Sequence, residues 1–133
     1  MTFKSPQTLK TIAELIGAKY VGDENFQIFG TNEIHRVKKG EIVFVNHPKY
    51  YDKALHSEAT IILIDKEVAC PEGKVLLVSD DPFRDFNKIN DHFTGIQTFE
   101  TTDNNLSIGE NCKIHPSVII GNDVKIGDNC MIF

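Results

Sequence analysis

Residues 108–133 repeat with a strict period of six, and this pattern constrains the fold more than any other feature of the sequence. The repeating residue is isoleucine, at positions 108, 114, 120, 126 and 132. An amphipathic helix would repeat every 3.6 residues and a half-buried strand every two, so neither gives this pattern. A period of six instead predicts a three-sided coil of parallel β-structure, with the isoleucines stacked in its interior. We expect the glycines beside these isoleucines to let the backbone turn where a Cβ would crowd.

The repeat is too short to be stable by itself. Stacked repeats bury their apolar faces only against their neighbours, so a solenoid needs about three or more of them and an end cap. Here the last unit stops at Phe133. We therefore expect a truncated β-helix whose further coils lie beyond residue 133.

Charge and hydrophobicity argue against a nucleic-acid partner and against insertion into a membrane. The net charge of −5 argues against duplex nucleic acid, which requires clustered Lys and Arg. The longest apolar run, at 59–64, is too short to cross a bilayer, and the N-terminus lacks the apolar segment of a secretion signal. These features predict a cytoplasmic protein with no transmembrane segment.

The three cysteines include no CxxC pair, which argues against a disulfide framework and against a zinc site. Cys112 and Cys130 are eighteen residues apart, so they should lie on adjacent coils, one strand spacing of about 4.8 Å from each other. A redox pair is one interpretation. We favour the other, in which two small apolar side chains fill a narrow interior. The sequence thus predicts no metal site.

Residues 1–98 predict a mixed α/β domain with a small sheet and helices. Thr8 is placed to cap a helix that carries apolar residues on one side and ends at Gly17. A second helix is expected from Pro48 to about His56, because proline favours the first helical position. Apolar runs predict short strands at 19–21, 27–30, 41–45, 59–64 and 75–78.

A third helix is expected after Asp81, which can cap it, with Pro82 in the first helical position and Gly95 as its stop. Apolar residues recur along it at helical spacing, namely Phe83, Phe86, Ile89 and Phe93. Such a stripe could form a ligand slot, but a face packed on the core is the interpretation we favour. Residues 99–107 predict a polar linker into the repeat at 108–133.

One strand-to-helix junction has the composition of a ligand-binding loop, and such loops are common at this place in a fold. Phe44 and Tyr50 could stack on both faces of a planar base, which is worth about 1–3 kcal/mol per base when an aromatic is removed. Asn46 and His47 could bond the edge of that base, and Lys49 could meet a phosphate. The alternative is a plain turn, in which Phe44 packs in the core and Tyr50 packs on the helix.

Taken together, these features resemble a known enzyme family. An F-x-x-x-P-K-Y segment at 44–50, a helix opening Asp81-Pro82-Phe83, an Ile-His-Pro-Ser turn at 114–117 and the Ile-Gly hexapeptides resemble UDP-3-O-(3-hydroxyacyl)glucosamine N-acyltransferase. This family adds the second acyl chain in bacterial lipid A synthesis. The resemblance covers nearly the whole chain, and it implies a homotrimer with a left-handed β-helix and no cofactor.

The resemblance also implies a substrate and the site that holds it. The N-terminal domain of this family holds the uridine of UDP-3-O-acyl-glucosamine, and the two aromatics matching Phe44 and Tyr50 sandwich the uracil. The family usually has asparagine before the proline, where this sequence has His47. A neutral imidazole cannot copy a bidentate amide. Either His47 makes one bond to the base or Asn46 takes that role.

No catalytic residue is expected in these 133 residues. In the family, a histidine on a later coil acts as general base, taking a proton from the glucosamine amine as it attacks the acyl thioester on acyl carrier protein. His115 lies in an Ile-His-Pro segment, and we interpret it as a turn residue. The resemblance therefore implies an N-acyltransferase when the protein is complete, and an inactive UDP-binding part within residues 1–133.

Two other classes of protein are alternatives, and the residues argue against the second. A non-catalytic nucleotide-sugar-binding or trimerisation module would use the repeat only for assembly. A hexapeptide-repeat zinc enzyme of the carbonic anhydrase type would need several ligating histidines on the coils, and the repeat contains only His115.

Overall fold

The computed structural model describes residues 1–94 and 105–133. The chain divides into two compact units, Met1–Gly95 and Ile96–Phe133. The first contains an α/β sheet and the second contains the hexapeptide repeat, and each unit is described by itself.

A mixed sheet organises the first unit. Its strands are β1 (Thr2–Thr8), β2 (Lys19–Val21), β3 (Gln27–Thr31), β4 (Glu41–Val45), β5 (Ile61–Ile64) and β6 (Val75–Val78). They lie in the order β1-β3-β4-β5-β6-β2. The four inner strands pair in parallel, and each edge strand pairs antiparallel with its neighbour. The helices are α1 (Leu9–Ile16), α2 (Tyr51–Leu55) and α3 (Pro82–Thr94).

The central strands are buried on both faces, which explains their continuous apolar sequences. All four residues of β5 are fully buried. Ile61 and Leu63 face one apolar cluster, which includes residues of α1 and α3, and Ile62 and Ile64 face another that includes residues of α2. Because successive side chains of a strand point to opposite faces, one short run supplies both cores.

The predicted helix after Thr8 is confirmed. The hydroxyl of Thr8 accepts a hydrogen bond from the backbone N–H of Thr11 at 3.2 Å, so it caps the first turn. Gly17 ends the helix in the left-handed region at φ +67°, where glycine has no Cβ penalty.

The predicted strands are confirmed with small shifts of their ends. The strands at 19–21, 41–45 and 75–78 have the predicted bounds, β3 extends to Thr31, and β5 begins at Ile61. Strand β1 was not predicted, because Thr2–Thr8 is polar and contains Pro6. Proline and polar side chains are typical of an edge strand, which is the position that β1 takes.

The helix predicted from Pro48 divides into two parts. Residues Pro48–Tyr50 form a single 3₁₀ turn, and α2 follows at Tyr51–Leu55. The hydroxyl of Tyr51 donates a hydrogen bond to Asp65, just beyond β5. This bond attaches the short helix to the sheet.

The start of α3 follows the prediction, but the face that it buries differs. Asp81 Oδ1 accepts from the backbone N–H of Arg84 at 3.0 Å and caps the helix. Phe83, expected on the core, is 56% exposed, whereas Asp85 is buried. The Asp85 carboxylate accepts from the Ser79 hydroxyl at 2.5 Å and from Arg84 Nε at 2.9 Å, so its charge is paired. The predicted stop at residue 95 and most of the predicted linker lie outside the described residues.

The repeat in the second unit pairs strands eighteen residues apart. Its strands are β7 (Ser107–Ile108), β8 (Lys113–Ile114), β9 (Lys125–Ile126) and β10 (Met131–Ile132). Strands β7 and β9 are parallel, with Ile108 opposite Ile126, and β8 and β10 are parallel, with Ile114 opposite Ile132. This register is the one that a coil of three hexapeptides predicts.

The corners of the repeat correct our expectation about glycine. The left-handed positions are Asn111, Asp123 and Asn129, with φ of 57–58°, and asparagine and aspartate tolerate this region better than other side chains. Gly109 has a different role. A Cβ at Gly109 would come within 2.2 Å of Asp128 Oδ1 on the next coil, so the absent side chain permits close stacking.

All three cysteines are free thiols, each partly buried. Cys112 donates to the carbonyl oxygen of Gly127 at 3.0 Å, a contact between coils. Among residues 1–94 and 105–133, no helix is both long and apolar enough to cross a membrane.

The Tyr51–Asp65 bond predicts a dependence of stability on alkaline pH. The hydrogen bond to Asp65 raises the pKa of Tyr51 from 10.0 to about 12, and burial and the charge of Asp65 act in the same direction. The stabilisation is therefore complete below pH 10 and is lost as the pH rises towards about 12. Denaturant unfolding of the native chain and of Tyr51→Phe should show free energies that converge over this range. A difference that does not change with pH would contradict the raised pKa.

Candidate functional site

The candidate site lies where β4 ends. The four inner strands are parallel, and ligands of open parallel sheets commonly bind at the carboxyl ends of the strands. A cavity of about 400 Å³ lies beside β4 and the segment that follows it. It is lined by Asn32, Glu33, Ile34, His35, Val43, Phe44, Val45, Asn46, Tyr50, Lys53 and Phe86.

Phe44 belongs both to the core and to the cavity. Its ring packs against Phe86 at 4.9 Å and against Phe83 at 5.7 Å between centroids. It lies at the margin of the apolar cluster on the α1 and α3 side of the sheet. The side chain is half-buried and also lines the cavity. Helix α3 therefore fixes the orientation of this ring before any ligand is present.

Tyr50 lines the same cavity and is 50% exposed. It ends the 3₁₀ turn that begins at Pro48. The cation of Lys49 lies 5.7 Å from the centroid of the Tyr50 ring, within the range of a cation–π contact. This lysine is therefore placed against the tyrosine and is not among the residues that line the cavity.

His47 caps the turn that carries Tyr50. Its Nδ1 accepts a hydrogen bond from the backbone N–H of Lys49 at 3.2 Å. An accepting Nδ1 leaves the proton of a neutral imidazole on Nε2, which can then only donate. Asn46, by contrast, lines the cavity with an amide that can both donate and accept.

Of the five residues predicted for the site, the structure brings three together around one cavity. Phe44, Asn46 and Tyr50 line it, whereas His47 and Lys49 lie on the turn beside it. The sequence prediction omitted the residues on the connection after β3 and Lys53 on α2. Lys53 could have been found, because it follows Tyr50 by three residues and so lies on the same side of a helical turn.

Asn32, Glu33 and His35 lie on residues 32–40, between β3 and β4. They reach the cavity because β3 is the parallel neighbour of β4, and the carboxyl ends of the two strands therefore meet at one edge. No motif in the sequence marks these residues, since their place depends on the order of strands in the sheet.

The hydrogen bonds of the His115 side chain are local, whereas its backbone N–H donates to the Ile132 carbonyl, seventeen residues along the chain, at 2.9 Å. Its Nδ1 lies 2.7 Å from the Ser117 hydroxyl and accepts from the backbone N–H of Ser117 at 3.2 Å. These bonds close the His-Pro-Ser turn, as expected of a turn residue. Within residues 1–94 and 105–133, no group of three or more His, Cys, Asp or Glu side chains is arranged to hold a metal ion.

Two family profiles match the chain. The profile of UDP-3-O-(3-hydroxymyristoyl) glucosamine N-acyltransferase, LpxD, matches residues 25–92, which include the whole lining of the cavity. The profile of the bacterial transferase hexapeptide (six repeats) matches residues 105–132. The first match covers half of the chain and identifies the family.

Curated relatives extend the similarity across both units. The chain is 32% identical over 127 residues to the UDP-3-O-acylglucosamine N-acyltransferase of Nitrosococcus oceani, covering 93% of this chain and 33% of the relative. It is 31% identical over 126 residues to the enzyme of the same name from Vesicomyosocius okutanii, covering 93% of this chain and 37% of the relative. The chain thus spans about a third of the length of these relatives.

The cap made by His47 predicts the effect of two substitutions on stability. His47→Ala removes the acceptor for the Lys49 N–H and should lower the free energy of unfolding by about 0.5–2 kcal/mol. His47→Asn retains an acceptor at a preferred capping position and should cost less. Urea unfolding of the three proteins measures both effects. Equal losses in the two variants would contradict the prediction that a retained acceptor preserves stability.

Proposed function

Because the chain belongs to the UDP-3-O-(3-hydroxymyristoyl) glucosamine N-acyltransferase family, we propose that residues 1–98 form its uridine-binding domain. We further propose that residues 99–107 are a linker and that residues 108–133 begin a left-handed β-helix. The complete protein would transfer a 3-hydroxyacyl chain from acyl carrier protein to the 2-amino group of UDP-3-O-acyl-glucosamine, in the cytoplasm, as a step of lipid A synthesis.

The observation that carries the proposal is a cavity with three aromatic side chains in its lining, Phe44, Tyr50 and Phe86. Phe44, held by α3, and Tyr50, on the capped turn, both line a space of about 400 Å³. A uracil between two such rings gains stacking on both faces, and the apolar walls exclude water from it. Polar side chains on the same lining are then available to the edge of the base.

We assign the edge of the uracil to Asn46. Its amide can donate to a carbonyl oxygen of the base and accept from the ring N–H. His47 has its Nδ1 engaged with the Lys49 N–H, so it can offer the ligand only the donor on Nε2. In this proposal, His47 holds the shape of the turn and supplies at most one bond.

We assign the diphosphate to Lys53. This side chain lines the cavity on α2, whereas Lys49 lies against the Tyr50 ring. Lys53 is exposed at the lining of the cavity, so its cation is available to a phosphate attached to a base that lies between Phe44 and Tyr50. Lys49 would instead keep Tyr50 in place.

The transfer step follows from the chemistry of the two substrates. The amine nitrogen attacks the thioester carbonyl, a C–N bond forms, the C–S bond breaks and the thiol of acyl carrier protein leaves. A histidine on a later coil would take the amine proton. The hexapeptide match at 105–132 and the parallel pairing of residues eighteen apart support a β-helix that would assemble as a homotrimer.

An alternative is a non-catalytic nucleotide-sugar-binding or trimerisation module of another hexapeptide-repeat protein. The family match disfavours it, because the matched profile is that of the acyltransferase. An assay of acyl transfer by the full-length protein separates the two. UDP binding without transfer would favour the module.

The roles proposed for Phe44 and Tyr50 predict that replacing either side chain with alanine weakens UDP binding. Tyr50→Ala should weaken UDP binding by about 5- to 150-fold, which corresponds to 1–3 kcal/mol of lost stacking. Phe44→Ala should weaken it at least as much, but it also removes core contacts, so its free energy of unfolding must be measured in parallel. Titration calorimetry with UDP gives the affinities.

Tyr20→Ala is the matched control, because Tyr20 is a partly exposed tyrosine on the edge strand β2. It should bind UDP as the native chain does. Failure of the native chain to bind UDP would contradict the proposed function, and an equal loss in Tyr20→Ala would contradict the location of the site.

The two lysines predict different responses to the phosphate groups. Lys53→Met should weaken UDP by about tenfold and leave uridine nearly unchanged, because only UDP carries the charge that the lysine would meet. Lys49→Met should weaken both ligands by a similar factor, since it acts through the Tyr50 ring. Competition binding at low and high salt tests this, because salt screens the Lys53 effect. The reverse ranking would assign the diphosphate to Lys49.

A further inference from the structure

The connection between β3 and β4 is unusually short for two parallel neighbours. The strands pair with Gly30 opposite Glu41 and Thr31 opposite Ile42. Parallel strands are normally joined by a crossover of about a dozen or more residues, most often containing a helix. Here residues 32–40 make the connection without a helix. Two backbone hydrogen bonds, from Arg36 N–H to the Glu33 carbonyl at 2.9 Å and from Glu41 N–H to the Lys38 carbonyl at 3.2 Å, form turns within it. Side-chain hydrogen bonds link these turns to each other.

One carboxylate oxygen holds both ends of this connection. Glu41 Oε2 accepts from the amide of Asn32 at 3.1 Å and from the backbone N–H of Lys38 at 2.8 Å. Asn32 is the first residue after β3, and Glu41 is the first residue of β4. The Asn32 side chain also accepts from the Glu33 N–H at 2.9 Å and donates to the Arg36 carbonyl at 3.3 Å.

The segment held between these points is a wall of the cavity. Asn32, Glu33, Ile34 and His35 are consecutive, and all four line it. Val37, the next apolar residue, is buried in the cluster on the α2 side of the sheet. Glu41 is half-buried and is not part of the lining. It therefore does not line the space that a ligand would occupy, whereas the 32–35 wall does.

We infer that Glu41 is a positioning residue, which acts through Asn32 and the Lys38 N–H to hold the 32–35 wall in the shape that receives the nucleotide. This inference rests on the proposed nucleotide site. Without the Glu41 carboxylate, the wall samples several conformations, and binding must then order it. Ordering of side chains at a binding site weakens affinity, and a wall of this size should account for about a tenfold loss.

The test compares Glu41→Ala with Glu41→Gln. Both hydrogen bonds go to one oxygen, so glutamine retains the acceptor while it removes the charge. We expect UDP to bind Glu41→Ala about tenfold more weakly and Glu41→Gln within about twofold of the native chain. Glu14→Ala on α1 is the control for loss of one negative charge, and it should bind UDP normally. Thermal unfolding of each variant establishes that the fold is retained.

A second variant and a second measurement keep the inference falsifiable if Glu41→Ala does not fold. Asn32→Asp removes the amide that donates to Glu41 and places a second carboxylate against the Glu41 carboxylate. It should therefore weaken UDP binding at least as much as Glu41→Ala. Hydrogen exchange of the ligand-free chain should show faster exchange of the Lys38 amide in Glu41→Ala or Asn32→Asp, with the amides of β5 unchanged.

The outcomes separate the inference from the proposed function. A native chain that does not bind UDP would contradict the proposed function, and the inference would fall with it. A native chain that binds UDP, beside a Glu41→Ala variant that binds equally well, would overturn the positioning role alone. Weak UDP binding by Glu41→Gln would show that the affinity depends on the charge of Glu41 and not on its hydrogen bonds to the wall.

Discussion

The parallel pairing of β3, β4, β5 and β6 is the constraint on which the first unit depends. Parallel strands are stable only when both faces are covered, so α1 and α3 pack on one side and α2 packs on the other. The same pairing brings the carboxyl ends of β3 and β4 to one edge. There β3 ends at Thr31, opposite Ile42, while β4 continues to Val45. The cavity lies beside the last three residues of β4 and the segments that follow the two strands. Core and cavity thus arise from one arrangement of strands.

Much of this arrangement could be predicted from the sequence, for reasons that are local. The run Ile61–Ile64 is apolar throughout, Thr8 and Gly17 mark the ends of a helix, and Asp81 with Pro82 marks the start of another. Each of these signals depends on residues within one turn or one strand. The repeat with a period of six could be predicted equally well, because three hexapeptides per coil place residues eighteen apart opposite each other.

The remaining features depend on contacts that the local sequence does not encode. Burial of Asp85 in place of Phe83 requires the Ser79 hydroxyl and the Arg84 guanidinium to satisfy the carboxylate. The contribution of residues 32–35 to the cavity requires that β3 lie beside β4. The use of Asn and Asp at the corners of the repeat, and the close stacking at Gly109, are likewise visible only when the coils are placed against each other.

The two aromatic walls of the cavity are built differently, and this has a consequence for how the site can change in evolution. Phe44 is packed by Phe83 and Phe86 at the margin of the core, whereas Tyr50 stands half-exposed on a capped turn. If the proposed site is correct, a mutation at Phe44 would alter folding and ligand recognition together. Tyr50 can vary at little cost to the fold. New ligand preferences in this scaffold should therefore arise first at Tyr50, whose side chain is not packed into the core.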